Sequence, residues 1–458
     1  MAGGSGGRLL ATVLTCAAVV VALRLGSAGG GWTGGPPPPP TPSAPAAFDG
    51  DWATATGLEA ATARIGQGLI ASGESVWFHP NSCVPYTADA RGRLWQLPSP
   101  PLVGAPAAAD VEPPPLLVAH VGGTPLGGAF SRDGRSLYIA DAGRGLLRVA
   151  VNPTTGVPVG GAAPVVELLA AAAPLPARSQ GEGPDGKRDA SPANATAIAA
   201  AATAAAAAVP IAFADDVDVC PVSGTVYFSD ASRVAPPRVV AGGGGATLEA
   251  SILDAMSGVP SGRLLAYHPD SGAVSVVTDQ SFHFANGVAV APDGRSVVVA
   301  ETFGSRLLRV SVSGADAGSF SRLGPPLPGF PDGVSRDDSP RGGYWVAFYV
   351  PTPPFLRLLW AGPAWVRAAA LHVPPSLRPY RMPYSVIAHV TEAGEVDEML
   401  ADPGRTLGGL VSSVARCMRP EEKGGPTPLY LGILHGRFVG RVDEGAGGGG
   451  ATRRASGE

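Results

Sequence analysis

One unit recurs along this chain and constrains its fold more than any other feature. Its best copy, residues 284–310, reads FANGVAVAPDGRSVVVAETFGSRLLRV. A short entry strand meets a Pro-Asp-Gly turn, an apolar run follows from Val297 to Ala300, a polar corner comes at 301–305 and a third short strand ends the unit. Related segments stand at residues 86–97, 133–151, 222–234, 342–350 and 429–442. Each apolar run is a few β-branched, aromatic or Leu residues bounded by Gly, Asp or Pro, which selects strand over helix. A sheet-sized unit repeated along a chain buries its faces against its neighbours, the pattern of a propeller. Six such segments predict an all-β, six-bladed β-propeller.

In that architecture the innermost strand of each blade lines the axis, so a polar side chain early in each repeat meets its counterparts there. Glu74 in SGESVWF, Asp215 in FADDVDV, Asn286 in FANGVAV and Asp332 in FPDGVSR share this phase. Hard oxygens from separate blades are what Ca²⁺ takes as ligands, and three carboxylates packed together without a cation repel one another. Taken singly, Asp and Asn at strand starts more often satisfy turn backbone groups. The joint phase of the four is what points to a metal site.

With 458 residues and 45% hydrophobic content the chain can bury a large core, although 64 Gly and 48 Pro inflate its length. Propellers are among the folds that exceed the usual domain size as one unit. A net charge of -4 gives no basic face for nucleic acid. Arg8, an apolar run over 9–23 and small residues at Gly26, Ser27 and Ala28 make residues 1–28 a signal peptide or signal anchor. The run is shorter than the roughly 20 residues that span a bilayer, which favours cleavage over anchoring. Either outcome puts the rest in the secretory lumen or outside, soluble or anchored as a type II membrane protein. Residues 29–64 read as a Gly/Pro-rich linker and lead-in, 65–445 as the propeller and 446–458 as a disordered tail. Within the propeller, the Ala-rich stretch 162–208 is expected to be a disordered insertion, with Asn194 as a glycosylation sequon. Residues 353–379, with Leu, Trp and Val at helical spacing between prolines, predict a short amphipathic helix packed on the propeller. Of the four cysteines, Cys16 lies in the leader, which leaves Cys83, Cys220 and Cys417 as one disulfide plus one thiol or as three small buried hydrophobes.

The segments GESVWF, PLGGAFSRDGRSLYIADAGRGLLRV, FADDVDV, the whole 284–310 unit, LPGFPDGVSRDDSPRGGYWVAF and YLGILHGRFVGRV together resemble the strictosidine synthase-like family. That family is a six-bladed propeller related to paraoxonase and gluconolactonase. The resemblance implies an axial Ca²⁺ held by Glu74, Asn286 and Asp332, with Asp215 where the family usually has Asn. Gly333 stands where some relatives have a further Asn. It also implies a Glu acid/base in the last blade, where this chain has Ser412, and a His base near 124–128, where it has Leu126. A hydroxyl does not shuttle protons near neutral pH, so amine-aldehyde condensation is disfavoured. The expectation is a Ca²⁺-dependent hydrolase of small-molecule esters or lactones, with Asn286 and Asp332 catalytic. The alternative is a non-catalytic propeller braced by the metal. His435 is the one histidine placed near a pocket, and a lone strand His is more often structural.

Overall fold

A computed structural model of the protein describes residues 50–98, 113–174, 208–236, 244–351, 356, 359–360, 362–373, 385–417 and 427–443. The leader, most of the linker, Asn194 and the tail lie outside these residues. Six four-stranded antiparallel sheets are arranged as six blades, each running outward from an inner strand. The inner strands are Trp77–Phe78, Pro125–Phe130, Ala214–Val219, Ala285–Val290, Gly329–Arg336 and Leu410–Ala415, for blades 1 to 6 in turn.

Alternate side chains of a strand point to opposite faces, and here both faces are covered. In the second strand of blade 4, Ser296–Glu301, Val298 and Ala300 enter the core shared with blade 5. Val297 and Val299 of the same strand enter the core shared with blade 3. The same division recurs in blade 5, where Tyr344 and Val346 face blade 4 while Trp345 and Ala347 face blade 6. A strand buried on both sides is apolar throughout rather than alternating, which is why these segments read as uninterrupted apolar runs. Six such cores, one between each adjacent pair of blades, close the ring.

Closure uses both ends of the folded part. Strand Thr62–Ile65 is the outer strand of blade 6, pairing Thr62 with Val442 and Ile65 with Val439. The lead-in before Ile65, expected to be linker, therefore belongs to the last blade. A disulfide joins Cys83 of blade 1 to Cys417 beyond the inner strand of blade 6, spanning 334 residues of sequence. Cys220 is a buried free thiol packed between blades 3 and 4.

One expectation needs correction. The start of the Ala-rich stretch is ordered: Val166–Ala170 is the outer strand of blade 2, and Ala172–Ala173 pairs with Val209–Pro210. Val166–Ala170 reads VELLA, ahead of the Ala-rich run, and pairing with Gly145–Ala150 fixes it as a strand. Blade 3 also carries a helix, Gly244–Ser257, that no repeat pattern announced. The 353–379 segment does supply a helix, Ala364–Leu371, and Trp360 ahead of it is buried against Met256 and Phe330.

Opening the disulfide should lower stability markedly. The chain-entropy account gives on the order of 5 kcal/mol for so long a closed loop. Thermal unfolding of Cys417→Ser, or of wild type under reductant, should show a clear drop in melting temperature. Cys220→Ser should not reproduce a reductant-sensitive loss.

Candidate axial site

The corners of the blades set the approach to the axis. In four blades an acidic side chain at or just beyond the end of the second strand accepts hydrogen bonds from the backbone leading into the inner strand. Asp89 accepts from Ala71 N at 3.4 Å, Asp141 from Thr124 N at 2.9 Å, Asp230 from Phe213 N at 2.9 Å and Glu301 from His283 N at 2.7 Å. Each also pairs with an arginine further along, Arg93, Arg144, Arg263 and Arg306 respectively. These pairs are the polar corners and basic residues of the repeat. All four acids are fully buried, and each has its cation.

A few residues on, the inner strand bulges. Pairing slips between Pro125 and Gly127, Ala214 and Val217, Ala285 and Val288, Pro331 and Val334, and Val411 and Ser413. A bulge re-aims a side chain, and the residues turned out of the ladder are Leu126, Asp215, Asn286, Asp332 and Ser412. Glu74 precedes the short inner strand of blade 1 in the same phase. Gly287 and Gly333 follow two of these residues because neighbouring inner strands touch there: a Cβ on Gly287 would lie 2.2 Å from Val334 N, and one on Gly333 2.7 Å from Ser412 O.

The four residues singled out from the sequence are thus brought together. Asp215, Asn286 and Asp332 are 5%, 7% and 5% exposed, while Glu74 keeps more of its surface open. Asn286 Nδ2 donates to Asp332 Oδ1, and Asp332 Oδ2 is buried with no hydrogen-bond partner. A fifth residue, Asp216, joins them; it accepts from Val288 N of the next blade at 2.9 Å. Its signal in the sequence was the second Asp of FADDVDV, standing where FANGVAV and FPDGVSR have Gly.

Burial and mutual repulsion shift this group of carboxylates together. Glu74 is raised well above the usual range by burial, then by Asp332 and Asp216. Asp215 is raised by burial, then by Glu74, Asp332 and Asp216. Burial pushes Asp332 up to about 8 and Asp216 to about 7, against hydrogen bonds that oppose the shift. No Arg, Lys or His among the described residues pairs with any of the four. Nor do three or more Asp, Glu, His or Cys side chains among the described residues stand at metal-site spacing. The proximity seen here is electrostatic and hydrogen-bonded, with Asn286 presenting its nitrogen to Asp332.

The remaining axial positions offer no base. Ser412 Oγ donates to the Glu74 carbonyl oxygen at 2.6 Å, and Leu126 packs with Phe213 and Phe284. His435 is exposed at the end of the ring where the inner strands begin, its backbone N held by Ser72 Oγ at 3.1 Å.

The stretch holding Asp215, Asp216 and Asn286 matches the family model described as Strictosidine synthase, over residues 215–315. The chain is 29% identical to strictosidine synthase-like protein 10 of Arabidopsis thaliana, covering 81% of this chain and 84% of that protein. It is 29% identical to the adipocyte plasma membrane-associated protein of Salmo salar, covering 70% of this chain and 63% of that protein. Among solved structures, a gluconolactonase from Xanthomonas campestris superposes with TM-score 0.45 at 12% identity, over 83% of this chain and 88% of that one. The calcium-binding protein regucalcin from Agrobacterium tumefaciens gives TM-score 0.41 at 13% identity, over 87% of this chain and 95% of that one.

The raised carboxylates make stability depend on pH in this strictosidine synthase-like chain. A carboxyl raised in the folded state binds protons that the unfolded chain releases, so it contributes most below its unfolded value near 4. The contribution is lost as pH climbs through the folded values of about 7 and about 8. In chelator, the melting temperature should fall steadily from pH 5 to pH 9. Asp332→Asn should flatten that fall and stabilise the protein at pH 8 by about 2 kcal/mol.

Proposed function

We propose that the axial site holds Ca²⁺ through Glu74, Asp215, Asn286 and Asp332 and hydrolyses esters or lactones of small molecules. The observation that carries this reading is the cluster of carboxylates that no cation among the described residues pairs with, whereas the corner acids Asp89, Asp141, Asp230 and Glu301 each have an arginine. Fixed oxygens in excess of positive charge suit a hard divalent ion. The fit requires Asn286 to turn its amide, offering Oδ1 to the ion, and Asp332 Oδ2 is a second oxygen not otherwise engaged.

Bound there, the ion would polarise a carbonyl as a Lewis acid. The chain's own contribution starts with Asn286, whose Nδ2 would donate to the carbonyl oxygen as negative charge develops on it. Asp332 would take the proton of an attacking water, or attack the carbonyl itself. With water as nucleophile, the new C–O bond forms as the proton passes to Asp332 and on to the departing alkoxide, so ester and water give acid and alcohol. Ser412 hydroxyl, donated to a backbone carbonyl, replaces the acid/base that condensation would need, and this argues against a synthase. The disulfide fits the oxidising secretory compartment predicted from the leader. Among the described residues no helix is long and apolar enough to cross a membrane.

Turnover of aryl esters and lactones should be abolished by chelator and restored by Ca²⁺. Asn286→Ala should lower kcat by about 10²-fold, the loss seen when one oxyanion donor is removed. Calcium should also raise the melting temperature, most at pH 8, where the carboxylates carry charge. A calcium-dependent rise without turnover on any ester or lactone would replace hydrolysis with a purely bracing role.

A further inference from the structure

The first turn of each blade lies at the end of the ring where the inner strands finish, opposite His435. Blades 2 and 4 close it in the short sequences SRDGRS and APDGRS, with Gly134 N donating to Ser131 O and Gly294 N to Ala291 O, both at 2.9 Å, and with Asp133 and Asp293 exposed. The turn of blade 5 is longer, running over residues 337–343, and it carries buried charge. Asp337 at its start and His389 on the third strand, Val386–Val390, are both shut off from solvent, and Trp345 Nε1 donates to Asp337 Oδ2 at 3.1 Å.

Both ring nitrogens of His389 face acceptors. Nδ1 stands 2.7 Å from Asp397 Oδ1 on the fourth strand, and Nε2 stands 2.8 Å from the Gly342 carbonyl oxygen and 3.3 Å from Asp337 Oδ2. A neutral imidazole has one N–H and one lone pair; only the imidazolium donates from both nitrogens. The Gly342 oxygen cannot donate in return. Nor does the Asp397 carboxyl, because against its burial the hydrogen bonds from Arg341 and His389 hold it below the ordinary carboxylate range. The surrounding charges agree. The carboxylates Asp337, Asp397 and Glu398 face the guanidinium groups of Arg341 and Arg416, which leaves one negative charge for a cationic His389 to balance. Arg336 pairs separately with Asp338, and Arg309 with Glu392. Burial and the charge of Arg341 lower the proton affinity of His389, but its hydrogen bonds with Asp337 and Asp397 outweigh both and raise it above the ordinary value.

The network crosses the seam to blade 6. Asp337 Oδ1 lies 3.3 Å from Nε of the buried Arg416, whose guanidinium stands 5.4 Å over the Trp345 ring, and Trp345 packs edge-on against His389 at 5.2 Å. Arg416 follows the inner strand of blade 6 and precedes Cys417, half of the ring-closing disulfide. A buried charge left without its counterpart is strongly destabilising. Taking the proton from His389 therefore unbalances Asp337, and with it the hold on Arg416.

We propose that His389 is a proton-operated latch on the seam between blades 5 and 6: as an imidazolium it holds the blade 5 turn, the outer strand and the Cys417 segment together, and on losing its proton it releases them. A group whose proton affinity is raised by folding stabilises most below its unfolded value, here near 6.5. The latch is shut there and slackens as pH rises through the higher value of the folded protein.

The axial carboxylates also make global stability fall with pH, so the test reads the latch itself in the full chain. In side-chain ¹⁵N spectra of histidine-labelled protein, His389 is the signal missing from His389→Gln or, should that variant not fold, the one that shifts most in Asp397→Asn. It should carry a proton on both nitrogens at pH 7, where an ordinary imidazole is mostly neutral. The Cys83–Cys417 bond is then opened with a water-soluble phosphine, which becomes its oxide as the bond gives two thiols. Reduction should be slow below pH 6.5 and accelerate about tenfold as His389 loses its proton. Asp397→Asn, at a partly exposed position, removes one acceptor and should move the acceleration to lower pH. Comparing the two proteins at each pH cancels the phosphine's own pH dependence. A single proton on His389 at pH 6, or the same acceleration profile in wild type and Asp397→Asn, overturns the proposal.

Discussion

Packing of every blade on two neighbours is the constraint from which the remaining structure follows. Because Val297 and Val299 face one neighbour while Val298 and Ala300 face the other, no blade has a finished core of its own. Stability then depends on the ring being closed, and closure is made twice, by the Thr62–Ile65 strand on Val439–Val442 and by the Cys83–Cys417 bond. Closure also forces the inner strands into contact. Gly287 and Gly333 are small because the next strand leaves no room for a Cβ.

That crowding produces the electrostatics. The inner strand is a sheet edge, and its exposed backbone groups are met across the blades by side chains: Asp216 and Asp218 accept from Val288 N and Val290 N, and Ser75 donates to Leu126 O. The same geometry packs Glu74, Asp215, Asp216 and Asp332 into one desolvated space. Two kinds of buried acid result. Those at the corners are paired with arginines and hold the backbone in place; breaking such a pair would leave a buried charge and cost on the order of 3 to 5 kcal/mol. Those at the axis have no cation partner among the described residues, and they raise each other's affinity for protons. In the proposed function that site takes a cation, and the neutral Asn286 among the acids gives it a group that can donate as well as accept.

The repeat made the ring legible. Both-sided burial leaves an uninterrupted apolar run, and the polar corner that ends it, at 301–305 in the best copy, marks the turn into the next strand. Phase within the repeat was enough to select Glu74, Asp215, Asn286 and Asp332. It missed Asp216, because one residue beyond the axial position alternation predicts the opposite face. The bulge cancels that alternation, and a bulge is a pairing event that leaves no mark in composition. The 162–174 segment was misread because it was grouped with the Ala-rich run after it; Val166–Ala170 reads VELLA and pairs with Gly145–Ala150 as the outer strand of blade 2.

The sequence by itself determined the fold class, the number of blades and the residues that point at the axis, since each of these is written in local periodicity. Tertiary structure alone decided which cysteines join and that a helix before the repeat's third strand in blade 3 meets one from blade 5. Those are contacts between segments far apart in the chain, fixed by ring closure. In the 284–310 unit, too, closure of the ring sets what the repeat could not: Asn286 is bound to Asp332 of the next blade, and Phe284 two residues before it sits at positive φ.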